Sequence, residues 1–410
     1  MEEGKIRIYG YRWLVLAAFV LIACMTQVLW ITFAPITSAA AKFYHTSDLT
    51  IGLLSMSFMI VYVFLVLPSA WVIDTLGFRT AVGIGAVLTA VFGLTRGIFA
   101  SSLTIVFISQ IGIAAGQPFV IGAITKIAAR WFPVRERATA SGLGTLALFL
   151  GPLAAMILTP LLVLRFSIGL MLLAYGIASV VAAAFFLAVA RERPPTPAGR
   201  DERALMLDGL RSMLRKRDFI LLLVIFFIGL GIFNGISTWI EDIIRPRGFS
   251  ISQAGMLGGL MLVGGMAGAV IMPLLSDRLR RRKPFILLAL IGLIPGLVGM
   301  TFFTGNRLLL LSGFILGFFL LSAGPIGFQY AAEITHPAPE GTSNSLLLVM
   351  GQISGIVFIF GMDALKNPAT GTMTTPLLVL AALGLVSIVL ATLIRESPVS
   401  EAVSEAGPGT

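Results

Sequence analysis

The chain carries one cysteine in 410 residues, two histidines and only 12% charged residues. A lone thiol, Cys24, excludes an internal disulfide and a thiolate metal cluster. It lies inside an apolar run and reads as a small core residue. His45 and His336 fall in loops, where solvent accounts for them. Nowhere along the chain do a nucleophile, a base and an orienting acid gather at one depth, so neither an enzyme nor a metal or cofactor is implied. Acids are scarcer than bases, 19 against 29, which leaves a formal charge of +10 and raises the question of an anionic partner.

What is present in excess is apolar surface. Hydrophobic residues make up 57% of the chain and the mean hydropathy is +0.98, far from the quarter of charged residues usual in soluble domains. About twenty apolar residues cross a bilayer. Runs of that length predict crossings near 13 to 40, 49 to 73, 80 to 98, 103 to 130, 137 to 160, 166 to 190, 218 to 245, 252 to 275, 284 to 303, 308 to 334, 341 to 364 and 373 to 394. The fold class expected is therefore an all-α membrane protein of twelve transmembrane helices. The first run is too long, and too poor in a small-residue cleavage site, to be a removed signal peptide. Twelve crossings return both termini to one face, which holds 22 of the 29 Lys and Arg residues. The other face holds Lys42, Arg96, Arg165, Arg245, Arg247, Arg307 and Lys366. By the positive-inside rule both termini are cytoplasmic, and the basic excess reflects topology in a cell membrane rather than nucleic acid.

The stretch from Ser57 to Val82 organises the rest. Its apolar run ends at Asp74, Gly77 and Arg79 before restarting. Gly77 permits a tight reversal, and the two charges belong at the membrane surface. The spacing Asp-Thr-Leu-Gly-Phe-Arg resembles the Asp-Arg-x-Gly-Arg signature of major facilitator superfamily carriers, with Thr75 replacing the first Arg. Asp277, followed by Arg278 and further bases, ends crossing eight 203 residues later. WFPVRERATAS after crossing four aligns with THPAPEGTSNS after crossing ten at an offset of 204, pairing Pro133 with Pro337, Glu136 with Glu340 and Ser141 with Ser345. Two loops sharing nearly one offset indicate parallel six-helix pseudo-repeats, the architecture of that superfamily. The organisation predicted is an N-terminal six-helix half at 1–190, a cytoplasmic linker at 191–217, a C-terminal half at 218–395 and a disordered tail at 396–410. Within the linker, Leu205, Leu207, Leu210 and Leu214 beside Arg203, Arg211 and Arg215 fit either an amphipathic helix on the inner leaflet or a solvated one. Asp74 is expected beside Thr342 and Ser343 at the start of crossing eleven, where free amides attract a carboxylate, and Asp277 at the start of crossing five.

Polar side chains at mid-depth are costly unless they face a cavity or a partner. Those at mid-depth are Gln27, Trp30 and Thr32 in crossing one, Gln117 in crossing four, Asn234, Ser237, Thr238 and Trp239 in crossing seven, and Gln352 in crossing eleven. Glu241 and Asp242 lie near the outer end of crossing seven, Asp363 at the outer end of crossing eleven and Glu333 at the inner end of crossing ten. No ionisable residue falls at the centre of a crossing, which favours a facilitator over a proton-coupled carrier. Any one Gln or Asn serves equally as glue between helices, and Trp30 as a belt residue at the interface.

Several stretches resemble the feline leukaemia virus subgroup C receptor family of choline, ethanolamine and haem carriers: YRW at Tyr11, LSMSFMIVYVFLVLPSAWVIDTLGFR, GIFNGIST from Gly231, GFQYAAEITHPAPEGTS from Gly327 and GQISGI from Gly351. The resemblance implies a cation site built from a Trp in helix one, a Gln in helix four, a Tyr in helix seven and a Gln in helix eleven. Trp30, Gln117 and Gln352 match three of these, and Asn234 stands where the Tyr is expected. An absent aromatic face is worth ~1–2 kcal/mol to a desolvated quaternary ammonium. The site expected is Trp30, Gln117, Asn234 and Gln352, with Trp239 and Glu241 nearer the outer mouth. Asp74, Gly77, Arg79, Asp277 and Arg278 are the expected gating residues. The reading is a monomeric carrier of a small-molecule substrate in a lipid bilayer, a choline- or ethanolamine-like amine first. An exporter of haem or drug-like amphiphiles, for which Gly151-Pro152 is a faint hint, and a receptor on a carrier fold are the alternatives.

Overall fold

The computed structural model of the protein describes residues 9–194, 210–337 and 340–397. The chain divides into two compact units, Met1–Arg203 and Ala204–Thr410. Among the described residues, twelve helical spans are long and apolar enough to cross a membrane, within a few residues of the predicted ones. Phe64, Leu67, Trp71, Leu161, Leu164 and Val389 are exposed on them, as side chains facing hydrocarbon must be. Helices solve the bilayer's demand that every backbone amide bond internally.

In the first unit α1 is Tyr11–Ile31, α2 Thr37–Tyr44, α3 Asp48–Thr75, α4 Phe78–Ile98, α5 Leu103–Ile121, α6 Ile124–Trp131, α7 Val134–Arg165 and α8 Ile168–Val189. Ser47, Ser102 and Ser167 cap α3, α5 and α8 through their hydroxyls. Crossing one is broken: after Ile31 the chain turns, Pro35 opens a 3₁₀ turn at Ala34–Ile36, and α2 follows. Crossing four breaks at Gly122 and Ala123 between α5 and α6, four residues beyond Pro118, which offers no amide to the helix. α4 packs on α8 and α5, and α1 on α7.

The second unit holds α9 Leu210–Met213, α10 Arg217–Thr238, α11 Ile240–Ile244, α12 Ile251–Leu279, α13 Lys283–Phe302, α14 Asn306–Thr335, α15 Glu340–Ala364 and α16 Thr374–Leu393. Crossing seven, predicted as one run to residue 245, instead breaks at Trp239 between α10 and α11. α12 and α14 pack backbone against backbone, through Gly264, Gly268 and Gly317. Of the expected linker helix, α9 is its C-terminal end. Leu205 and Leu207 lie outside the described residues, as does the tail beyond Ser397.

Each unit is closed by an acid that follows its last helix. The Glu192 carboxylate accepts from the backbone N–H groups of Phe78 (3.2 Å) and Arg79 (2.7 Å) and pairs with Arg130. Glu396, 204 residues later, accepts from the N–H groups of Arg282 (2.8 Å) and Lys283 (3.2 Å). Both acids thus satisfy first-turn amides of the third crossing of their unit, α4 and α13, where the helix dipole favours a negative charge. Gly77, at φ +90°, makes the turn that brings Phe78 and Arg79 under Glu192. Replacing Glu396 by alanine is expected to cost about 1–2 kcal/mol. A thermal midpoint in detergent lowered by a few degrees would register it, and an unchanged midpoint would refute the capping role.

Candidate functional site

In the first unit Trp30 occupies the last turn of α1 and Gln117 precedes Pro118 in α5, on neighbouring helices that pack together. Both are more than nine-tenths buried, and among the described residues the indole Nε1 of Trp30 has no hydrogen-bond partner. Gln27, one turn before Trp30, bonds only the Thr26 hydroxyl, at 3.5 Å.

In the second unit crossings seven and eleven are tied at three successive levels. Asn234 Nδ2 donates to the Gly351 carbonyl (3.1 Å), Trp239 Nε1 to the Ile359 carbonyl (3.1 Å), and Lys366 Nζ, just past α15, to Asp242 Oδ1 (3.1 Å). Asn234 is thereby tied to the α15 backbone one residue before Gln352, which is half-buried. Gly231 and Gly235 allow the close approach, since a Cβ there would meet Phe358 and Met362. Glu241, 1% exposed, and Asp242, 0% exposed, are interior carboxylates beside Arg245. Trp30 and Asn234 are themselves 204 residues apart, each in the last turn before the break in the first crossing of its unit.

The residues expected to gate lie at the termini-bearing end of each unit. Asp74 accepts from Lys126 Nζ at 3.0 Å, and Asp277 pairs with Arg282, which also reaches Glu333 at 3.0 Å. Arg79 and Arg278 are exposed. Burial lowers the Arg282 pKa, but its bonds to Glu333 and Asp277 outweigh that and raise it, so the guanidinium stays charged.

Sequence reasoning missed a cluster beside Trp30. Arg96, counted among the charges of the face opposite the termini, is fully buried near the end of α4 and turned inward. Its Nη1 donates to Gln110 Oε1 (2.5 Å) and the Leu29 carbonyl (3.3 Å), its Nη2 reaches Thr32 Oγ1 (3.5 Å), and its guanidinium lies 5.7 Å from the Phe33 ring centre. The signal available was Gln110, seven residues before Gln117 and so on the same face of α5.

Two units of six crossings each, the first crossing of each being broken and carrying buried polar side chains, are the build of a polytopic membrane carrier. The chain belongs to the Major Facilitator Superfamily, whose family model matches residues 15–359 and 241–409. It is 33% identical over 382 residues to "Solute carrier family 49 member A3" of Danio rerio, covering 89% of this chain and 81% of that protein. It is 30% identical over 381 residues to "Choline/ethanolamine transporter FLVCR1" of Felis catus, covering 87% of this chain and 68% of the relative. A bacterial homolog of the human lysosomal transporter Spinster shares its fold, with a TM-score of 0.76 at 15% identity over 98% of this chain and 100% of that one. The protein is a multi-pass membrane transporter of this superfamily.

Proposed function

We propose that the protein carries a small organic amine of the choline or ethanolamine class by alternating access, with Trp30, Gln117, Asn234 and Gln352 around the solute. The observation that carries this reading is Trp30: a buried indole on the last turn of a broken crossing, its Nε1 unbonded. An indole face attracts an ammonium group, while Gln117 and Gln352 supply amide oxygens. Asn234, whose amide already donates to Gly351, contributes its side-chain oxygen in place of an aromatic face, which favours an amine that can itself donate hydrogen bonds. The similarity to the choline/ethanolamine transporter of Felis catus supports the same class. None of the four side chains titrates, which supports facilitation down the solute gradient, with Asp74, Gly77, Arg79, Asp277 and Arg278 as the gating set.

The test is uptake of radiolabelled choline and ethanolamine into vesicles reconstituted with the purified protein. Trp30→Ala should lower affinity about five- to thirtyfold and Trp30→Phe should retain part of it, since the ring face is worth ~1–2 kcal/mol when desolvated. Uptake should also survive collapse of the pH gradient by an ionophore. Unchanged affinity in Trp30→Ala would overturn the site, and proton movement coupled to uptake would overturn facilitation.

A further inference from the structure

The carbonyls of the last turn of a helix have no partner within the helix, and α1 ends inside the protein. Leu29 is where that need is met. Its carbonyl accepts from Gln110 Nε2 (3.2 Å), from Arg96 Nη1 (3.3 Å) and from Thr32 Oγ1 (3.3 Å), donors from three different crossings or turns. Thr32 also donates to the Val28 carbonyl at 2.7 Å. Arg96 and Gln110 are both 0% exposed and bonded to each other. Among the described residues Arg96 has no carboxylate partner. Its charge is balanced instead by the negative end of the α1 dipole, the Gln110 oxygen and the face of Phe33.

Trp30 sits inside this clasp, directly after Leu29 and before Thr32 and Phe33. Arg96 and Gln110 bond the chain on both sides of Trp30, at the Leu29 carbonyl and the Thr32 hydroxyl, so the backbone from which the indole projects is fixed by them. We infer that Arg96 and Gln110 are positioning residues for Trp30: they hold the broken end of α1 so that the indole is presented in one orientation. A charge tethered to α4 thereby occupies the kind of half-helix C-terminal end that in other carriers coordinates a cation. The inference rests on the reading that Trp30 meets the solute, but its first readout does not.

The chain has five tryptophans. The full-length protein is labelled with 5-fluorotryptophan, and the Trp30 resonance is identified by its loss in Trp30→Phe. In folded Arg96→Lys and Gln110→Leu the Trp30 resonance should shift or broaden while those of Trp13, Trp71, Trp131 and Trp239 stay in place. Choline affinity should fall about tenfold in the same proteins, comparable to loss of the aromatic face itself. A Trp30 resonance unchanged in both variants overturns the inference. A shifted resonance combined with wild-type choline affinity in Trp30→Ala would leave the positioning intact and overturn the solute site instead. Should Arg96→Lys fail to fold, Gln110→Glu takes its place, since it keeps an acceptor for Arg96, turning that bond into an ion pair, and removes the amide donor to Leu29.

Discussion

Asp242→Ala is expected to destabilise the second unit by about 3–5 kcal/mol, the cost of removing one member from a buried ion pair. Asp242 is 0% exposed, and its Oδ1 accepts from both Arg245 Nη2 (2.9 Å) and Lys366 Nζ (3.1 Å). One oxygen therefore serves two cations, one on the 3₁₀ turn Arg245–Arg247 after α11 and one just past α15. Asp242→Asn keeps the shape and loses the charge, so it should show most of the same loss. Replacing both Asp242 and Lys366 by apolar residues of similar volume should recover part of it, because the desolvation of the charges disappears with them. At roughly 2–4 °C per kcal/mol for a unit of this size, the thermal midpoint should fall by about 10 °C. A midpoint unchanged by Asp242→Ala would mean that the pair contributes nothing to holding α11 against α15.

The other large effect lies between α12 and α14. A Cβ built on Gly268 would overlap the Phe318 carbonyl oxygen, one on Gly264 the Phe314 oxygen, and one on Gly317 the Met261 oxygen. The obstructing atoms are backbone, which has no rotamer by which to move aside. Helix packing in a membrane relies on such close approach, since lipid gives no hydrophobic drive between helices. Gly268→Leu should therefore cost at least the ~3 kcal/mol at the upper end for overpacking, and folded, monodisperse protein should be lost in detergent. Gly361→Ala is the control. Among the described residues, nothing beyond the helix's own adjacent backbone lies within 4 Å of its added Cβ, so it should match the wild type. Equal recovery of Gly268→Leu and Gly361→Ala would show that the α12 and α14 backbones do not touch.

The crossings were legible because a bilayer demands length and apolarity, and both are properties of a contiguous run. The repeat was legible at Asp74 and Asp277 because charged turns between such runs stand out. The breaks were harder. Pro35 and Pro118 sit near two of them, but the break at Trp239 has no proline and leaves no mark in an apolar count. Arg96 shows the deeper limit. Its position along α4 placed it at a membrane face, whereas a long side chain goes where its side of the helix points, here inward to Leu29 and Gln110. Glu241 and Asp242 were placed near an outer end in the same way, and the structure buries both. Glu192 and Glu396 were passed over as part of a basic linker and a polar tail, because the amides that they cap are more than a hundred residues distant in sequence.

The acid that follows the last helix of each unit also determines how far the chain can be trimmed. A truncation at Leu393, where the apolar run ends, would leave the first amides of α13 without the Glu396 carboxylate, whereas one after Ser397 keeps it. A fluorescent reporter joined directly to Leu393 would do the same harm as the shorter truncation. By the same logic, the first unit expressed as a separate polypeptide should run through Glu192 to Pro194 rather than stop at Val189, so that α4 keeps its cap and Arg130 its partner.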